Sequence, residues 1–202
     1  GTNSLEEAQT NAIDSTMKTY LDKWYNNNLT AYDSIISKDA VFCNNRTIYP
    51  KKSGTYQNEG YGNHPTIEGY QRLWDWVDKK TGPELSCTAN DSFSVTSING
   101  NGKLSKSIGL LTADEVNMAG GITDSSNMLY YLYTGTYWWT MSPSRFSHWF
   151  YANEFNVSAA GGLVYDNAWY GSGTRPVINI DTTKATFTGV GTKEDPYVLT
   201  SI

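Results

Sequence analysis

Two stretches of the chain repeat their apolar positions at helical spacing. In SLEEAQTNAIDSTMKTYLDKWYNNN (4–28), Leu5, Ala8, Ala12, Met17, Tyr20, Leu21 and Trp24 fall roughly on one side of a 3.6-residue period. Ser4 and Glu7 have the spacing of a capping box, and Asn26-Asn27-Asn28 ends the run. In TIEGYQRLWDWVDKK (66–80), Thr66 caps a second predicted helix. Its apolar face is Ile67, Tyr70, Leu73, Trp74 and Val77, with Trp76 off that face. The intervening stretch 49–64 mixes Pro, Gly, Tyr, Gln and Asn without a period and reads as a loop.

Downstream the period shortens. SFSVTSI (92–98) alternates as a strand does and runs into the turn residues NGNG (99–102). Ile108 to Leu111 is a short apolar strand. It leads into a short helix opened by Thr112 and Glu115 as a capping box and closed by Gly120-Gly121. YYLYTGTYWWTMS (130–142) is strand-rich with a Thr-Gly turn. FYANEFNVSAAGGLVYD predicts a hairpin turning at Ala160-Gly161-Gly162. GTRPVINI (173–180) predicts a last core strand, with Pro176 near an edge or a bulge. GVGTKEDPYVL ends in a turn and a short strand. From Ser142 onward, SPSRFSHW interrupts the aromatics with small polar residues and predicts a displayed loop. Trp138 and Trp139 are expected to divide between core and surface.

Composition sharpens this picture. Aromatics make up 14% of 202 residues, with 15 Tyr and 7 Trp, while aliphatic residues are sparse. Tyr and Trp combine large apolar area with a polar handle, so they serve cores and binding faces alike. The abundance of Asn, Ser, Thr and Gly favours a loop-rich extracellular domain over a helical cytosolic enzyme. A net charge of −5, with no basic run beyond Lys51-Lys52 and Lys79-Lys80, gives nucleic-acid binding no electrostatic support. No apolar run is long enough to span a bilayer. The opening Gly-Thr-Asn, without Met, leads us to expect a removed leader or anchor, so a membrane association would run only through that anchor.

Cys43 and Cys87 are the two cysteines. Alone they cannot build a four-ligand zinc site. In an exported chain they are expected to pair, closing a loop of about 45 residues and adding roughly 3–4 kcal/mol. The alternative is two separate buried thiols.

The order of segments after residue 105 also carries a resemblance. IGLLTADEVNMAGG, YYLYT followed by YWWTMSPS, GTRPVINI and the terminal GTKEDPYV occur in the order found in a family of uncharacterised modules of secreted and surface proteins from Gram-positive gut bacteria. LDKWYNNNL, AVFCNNRTIY and LSCTANDSFSV extend the resemblance over roughly residues 15 to 200. More distantly, LLTADE, YWWTMS and GTRPV stand where bacterial C-type-lectin-like domains carry a helix entry, an aromatic strand and a closing strand. The resemblance implies an α+β, C-type-lectin-like fold with short antiparallel sheets and two to three helices. With no internal repeat and no linker, the chain is expected to be one domain over 1–202, with an N-terminal helical part to about residue 82 and a lectin-like β-rich part from about 83. The resemblance further implies an extracellular or cell-surface location.

Within that frame, candidate chemistry narrows to binding. Calcium-dependent lectins of the fold hold the ion through Glu-Pro-Asn or Gln-Pro-Asp, and neither tripeptide occurs; Pro143 lies between two serines, poor calcium ligands. Formylglycine-generating enzymes, which share features of the fold, use a cysteine pair near the C-terminus, and no cysteine follows Cys87. His64 and His148 form no metal-binding spacing, and Asp114/Glu115 read as first-turn acids that complement a helix dipole. We therefore expect no metal, no cofactor and no catalytic set. The segment 144–170 is instead rich in the Trp, Tyr and Arg of interface hot spots and the Asn and Ser of adaptable binding loops. Arg145, Phe146, His148, Trp149, Tyr151, Asn153, Asn167, Trp169 and Tyr170 are the candidate residues for binding a protein or a glycan. In WFYANEF, Trp149, Tyr151, Asn153 and Phe155 share one face and Phe150, Ala152, Glu154 and Asn156 the other; the pattern leaves open which face is inside. Arg175 is expected to make a structural contact. A pilin-like subunit of a surface assembly, with the first helix continuing from a membrane segment, is the alternative; a carbohydrate-active enzyme is a more distant one.

Overall fold

A computed structural model describes residues 14–47, 72–73, 82–88, 91–96, 101–147, 151–192 and 194–201. It is a mixed α+β structure in which small, mostly antiparallel sheets are combined with two helices. Helix α1 spans Thr16–Asn28. Its start differs from the sequence expectation. Ser15 is extended, and its hydroxyl accepts a bond from the Lys18 amide, so this helix begins there; Ser4, Glu7 and the rest of the predicted run up to residue 13 lie outside the described residues. The buried stripe shifts with it. Leu21 and Tyr25 face inward with Met17 and Trp24 beside them, while Tyr20 is exposed. The second predicted helix falls almost entirely outside the described residues; within it, Arg72 and Leu73 are helical and Leu73 is buried.

Strands β1 (Phe42–Cys43), β2 (Ser92–Ser94) and β3 (Gly102–Lys103) form one small sheet, with β2 antiparallel to β1 and parallel to β3. Cys43 and Cys87 are joined in a disulfide with a Cα–Cα distance of 5.6 Å, which fastens β1 to the segment 82–88. Helix α2 (Ala113–Met118) opens with the expected box. The Thr112 hydroxyl accepts from the Glu115 amide at 3.1 Å, and the Glu115 carboxylate accepts from the Thr112 amide at 2.7 Å. Ile108 to Leu111 does not form a strand ladder: Gly109 makes an isolated bridge to Val177.

The main sheet has the order β4 (Trp138–Ser147), β5 (Tyr151–Val157), β6 (Leu163–Asn167). Residues 130–137 are bends and turns, so the strand starts later than its aromatic content suggested. It also runs on through SPSRFS, where a displayed loop was expected. Two register shifts, between Trp139 and Pro143 and between Pro143 and Arg145, absorb the irregular residues. β4 lies at the edge of this sheet, where a Pro is tolerated. Ser144 and Phe146 are consequently buried. The β5–β6 turn falls at 158–162 as predicted; the Ser158 amide donates to the Gly162 carbonyl and the Gly161 amide to the Ser158 carbonyl.

The sheet is packed on both faces. Trp138 joins Phe155, Val157 and Leu163 in a cluster with α2 residues Ala113 and Val116 and with Tyr130. Trp139 points the other way, into a cluster with α1 residues Leu21 and Tyr25 and with Ile36, Ile108 and Leu110. The adjacent tryptophans therefore divide between two cores, not between core and surface. GTRPVINI is extended but is not a ladder strand. It makes single bridges from Gly173 to Trp138, from Val177 to Gly109 and from Ile180 to Ile36. Arg175 lies over the Trp138 ring at 4.9 Å and donates to the Leu132 carbonyl at 2.6 Å, a structural contact as expected. A hairpin of β7 (Thr186–Thr188) and β8 (Val198–Ser201) follows.

Candidate functional site

The register of the main sheet decides which candidate residues meet. Opposite partners share a face. Val157 pairs with Leu163, Phe155 with Tyr165, and Asn153 with both Arg145 and Asn167. The inner face begins as apolar core at Val157 and ends at Tyr151 in an open, polar-aromatic ledge. Of the candidate residues, Arg145, Tyr151, Asn153, Asn167, Trp169 and Tyr170 gather at this end. His148 and Trp149 lie outside the described residues. Phe146 is corrected: it pairs with Ala152 on the opposite face, and strand alternation buries it to 5% exposure.

Three rings form the exposed part. Tyr151 and Trp169 are perpendicular, with centroids 3.9 Å apart, and Tyr170 stands at 75° to Trp169 at 5.9 Å. Their exposures are 36%, 43% and 52%. The turn after β6 holds them: the Ala168 amide donates to the Ala152 carbonyl at 3.0 Å and the Tyr170 amide to the Asn167 carbonyl at 2.9 Å.

Behind the rings lies a polar layer. Asn153 Nδ2 donates to Asn167 Oδ1 at 2.8 Å. Asn153 is buried, and its Oδ1 has no hydrogen-bond partner. This corrects the expectation of Asn153 as an open surface contact: it is part of the buried layer of the sheet. Arg145 stacks on the Tyr165 ring at 4.3 Å and donates to the Tyr165 hydroxyl at 2.9 Å. Its guanidinium is thus held by the sheet.

Two features escaped the sequence. Glu154 faces Asp166 across the β5–β6 ladder and Pro143 across β4, on the face opposite the ledge. Burial of its carboxyl pushes its pKa up to about 8. Nothing local in NEF signals this, because the burial is made by strands distant in sequence. Second, a cleft of about 110 Å³ opens beside the disulfide, lined among others by Arg72, Glu84, Asp114, Ser142 and Pro143. Arg72 grips Asp114 with two bonds, at 3.0 and 2.8 Å, and pairs with Glu84 at 3.1 Å. Asp114 is therefore a buried ion-pair partner, more than a first-turn acid at a solvated helix end. Among the described residues no three His, Cys, Asp or Glu side chains converge as metal ligands. Comparison with protein-family models, with curated proteins and with solved structures yields no match.

Proposed function

We propose that this chain is an extracellular or cell-surface binding module of C-type-lectin-like architecture. It recognises a protein or glycan without a metal ion through the ledge at the end of the main sheet. The observation that carries this reading is the convergence of Tyr151, Trp169 and Tyr170, three half-open rings from two segments, beside the hydrogen-bonded amides of Asn153 and Asn167. Isolated exposed aromatics are ordinary; a fixed cluster rimmed by polar groups is the composition of a recognition surface. The Cys43–Cys87 disulfide and the sequence resemblance to surface modules of Gram-positive gut bacteria support export.

The test is binding to immobilised glycan and peptide arrays in EDTA, with the parent chain beside Trp169→Ala/Tyr170→Ala. The parent is expected to bind and the variant to lose the signal. Blank arrays, or an unchanged signal in the variant, count against the ledge.

A subunit of a surface assembly is the second reading. Hairpin β7–β8 favours it, because Val190, Tyr197 and Val198 are each more than half exposed on one small hairpin. Sedimentation would show concentration-dependent assembly that Val190→Ser/Tyr197→Ser abolishes. The capped start of α1 at Ser15 argues against a continuous helix entering it from upstream.

A further inference from the structure

The end of the main sheet opposite the ledge, at the β5–β6 turn, carries an apolar surface open to solvent. We propose that this surface joins two copies of the chain in a two-fold dimer, with Leu129 and Tyr131 at its centre.

Placement comes first. The Leu163 amide donates to the Ile122 carbonyl and the Asn127 amide to the Ala160 carbonyl, each at 3.0 Å, so the segment 122–127 lies along the turn. Tyr130 is buried against the glycines that follow α2; a Cβ on Gly120 would stand 2.9 Å from the Tyr130 Cβ. Met118 and Ile122 are each two residues from Gly120, Met128 is two residues from Tyr130, and Leu129 and Tyr131 flank it. Two residues of chain span at most about 7 Å, so all five side chains start from one small area.

The surface is held open. Leu129 is 97% exposed, Tyr131 88%, Met118 and Met128 59% each and Ile122 38%. Asn127 Nδ2 donates to the Gly120 carbonyl at 2.8 Å, and its Oδ1 accepts from the Leu129 amide at 3.0 Å. Folding Leu129 back onto the core would break these bonds.

Area comes next. At these exposures the five side chains leave roughly 600–700 Å² open. The largest apolar patch of an ordinary monomer is about 300–600 Å². A stable interface takes about 800 Å² per partner, somewhat over half of it apolar. The surface therefore supplies the apolar area that one side of a stable dimer needs.

Charge selects the occupant. From Met118 to Tyr137 the only charged residue is Asp124, although charged residues make up 17% of the chain. A partner recognised through its charges would meet a single carboxylate. Two copies of this chain, each of net charge −5, repel one another, and least so where each carries the fewest charges. A two-fold contact sets the same patch on both sides, so it needs no complementary charge. Two flexible methionine side chains let the surface fit itself.

Sedimentation equilibrium of the disulfide-bonded protein from about 1 to 200 μM is expected to show a two-copy species, since interfaces of this size dissociate at micromolar concentrations or below. Leu129→Ser/Tyr131→Ser is expected to raise the dissociation constant at least ten-fold while the far-UV circular dichroism stays that of the parent, because both side chains are open in the monomer. Trp169→Ala/Tyr170→Ala in the ledge and Val190→Ser/Tyr197→Ser in the β7–β8 hairpin are expected to leave the dimer as it is. A monomer throughout the range overturns the inference, including the case in which the surface holds a different protein. So does a dimer that survives Leu129→Ser/Tyr131→Ser, or one lost in the ledge or hairpin variant instead. Species larger than two copies overturn the two-fold arrangement.

Discussion

Among the described residues, Glu154 is the side chain whose ionisation departs furthest from its ordinary value. Its carboxyl has a pKa near 8 in the fold and about 4.5 in the unfolded chain. Below about pH 4.5 both states hold the proton, and the group costs nothing. Between pH 4.5 and 8 the unfolded chain ionises while the fold retains the proton, so stability falls as pH rises; above 8 the penalty is constant. Glu154→Gln is therefore expected to match the parent at pH 4 and to exceed it by several kcal/mol, up to about 5, at pH 8.5. Urea denaturation at the two pH values checks this, and an equal offset at both would refute it. Gly161 gives a second residue-level expectation. Its φ is +82°, and an added Cβ would sit 1.8 Å from the Asn127 carbonyl oxygen. Gly161→Ala should cost at least about 2 kcal/mol, read as a fall in the denaturation midpoint. The need for glycine in this turn was legible, because turn chemistry is local. So was the Thr112–Glu115 box, whose two bonds lie within four residues. Tyr25 in place of Tyr20 was not: the choice depends on where the helix starts, and Ser15 sets that only once its hydroxyl is seen to cap.

At the level of elements, the main sheet is buried on both sides, and this changes what its adjacent tryptophans do. A residue on each face lies in a core, so Trp138→Ala and Trp139→Ala are each expected to destabilise by about 3–5 kcal/mol. A core-and-surface division would make one of them near-neutral; calorimetric unfolding of the two variants separates these outcomes. The hairpin of β5 and β6 was readable from AAGG between two alternating runs. The continuation of β4 through SPSRFS was not, since Ser and Pro there weigh against a strand. It persists because two register shifts accommodate the extra residues and because the Ser142 hydroxyl is used elsewhere, accepting the Ala113 amide at the mouth of α2. The candidate site was legible as a segment and not as a surface. Alternation left the inner face undecided, and only the register against β4 and β6 placed Asn153 under Tyr151 and turned Phe146 away.

For the molecule as a whole, long-range fastenings matter more than any one element. The Cys43–Cys87 disulfide ties strand β1 to a segment 44 residues later, which in turn meets α2 where the Glu84 amide donates to Asp114 at 2.9 Å. Replacing both cysteines by serine is expected to lower stability by about 3 kcal/mol, measured by urea titration against the parent chain without reductant. The extended stretch 173–180 is the other fastening. Through Gly173, Val177 and Ile180 it reaches the main sheet, the entry to α2 and the chain after α1, and Ile178 and Ile180 cover the α1 cluster. That stretch lies far along the chain from the surface it covers, and this sets a timetable for biosynthesis. A growing polypeptide makes Leu21, Tyr25 and Ile36 early, adds Ile108, Leu110 and Trp139 against them later, and completes their cover only when Ile180 has been added. At 5–20 residues per second the interval is roughly 10–30 s. Throughout it part of the N-terminal apolar face stays open to whatever the cell places beside the ribosome or the export channel.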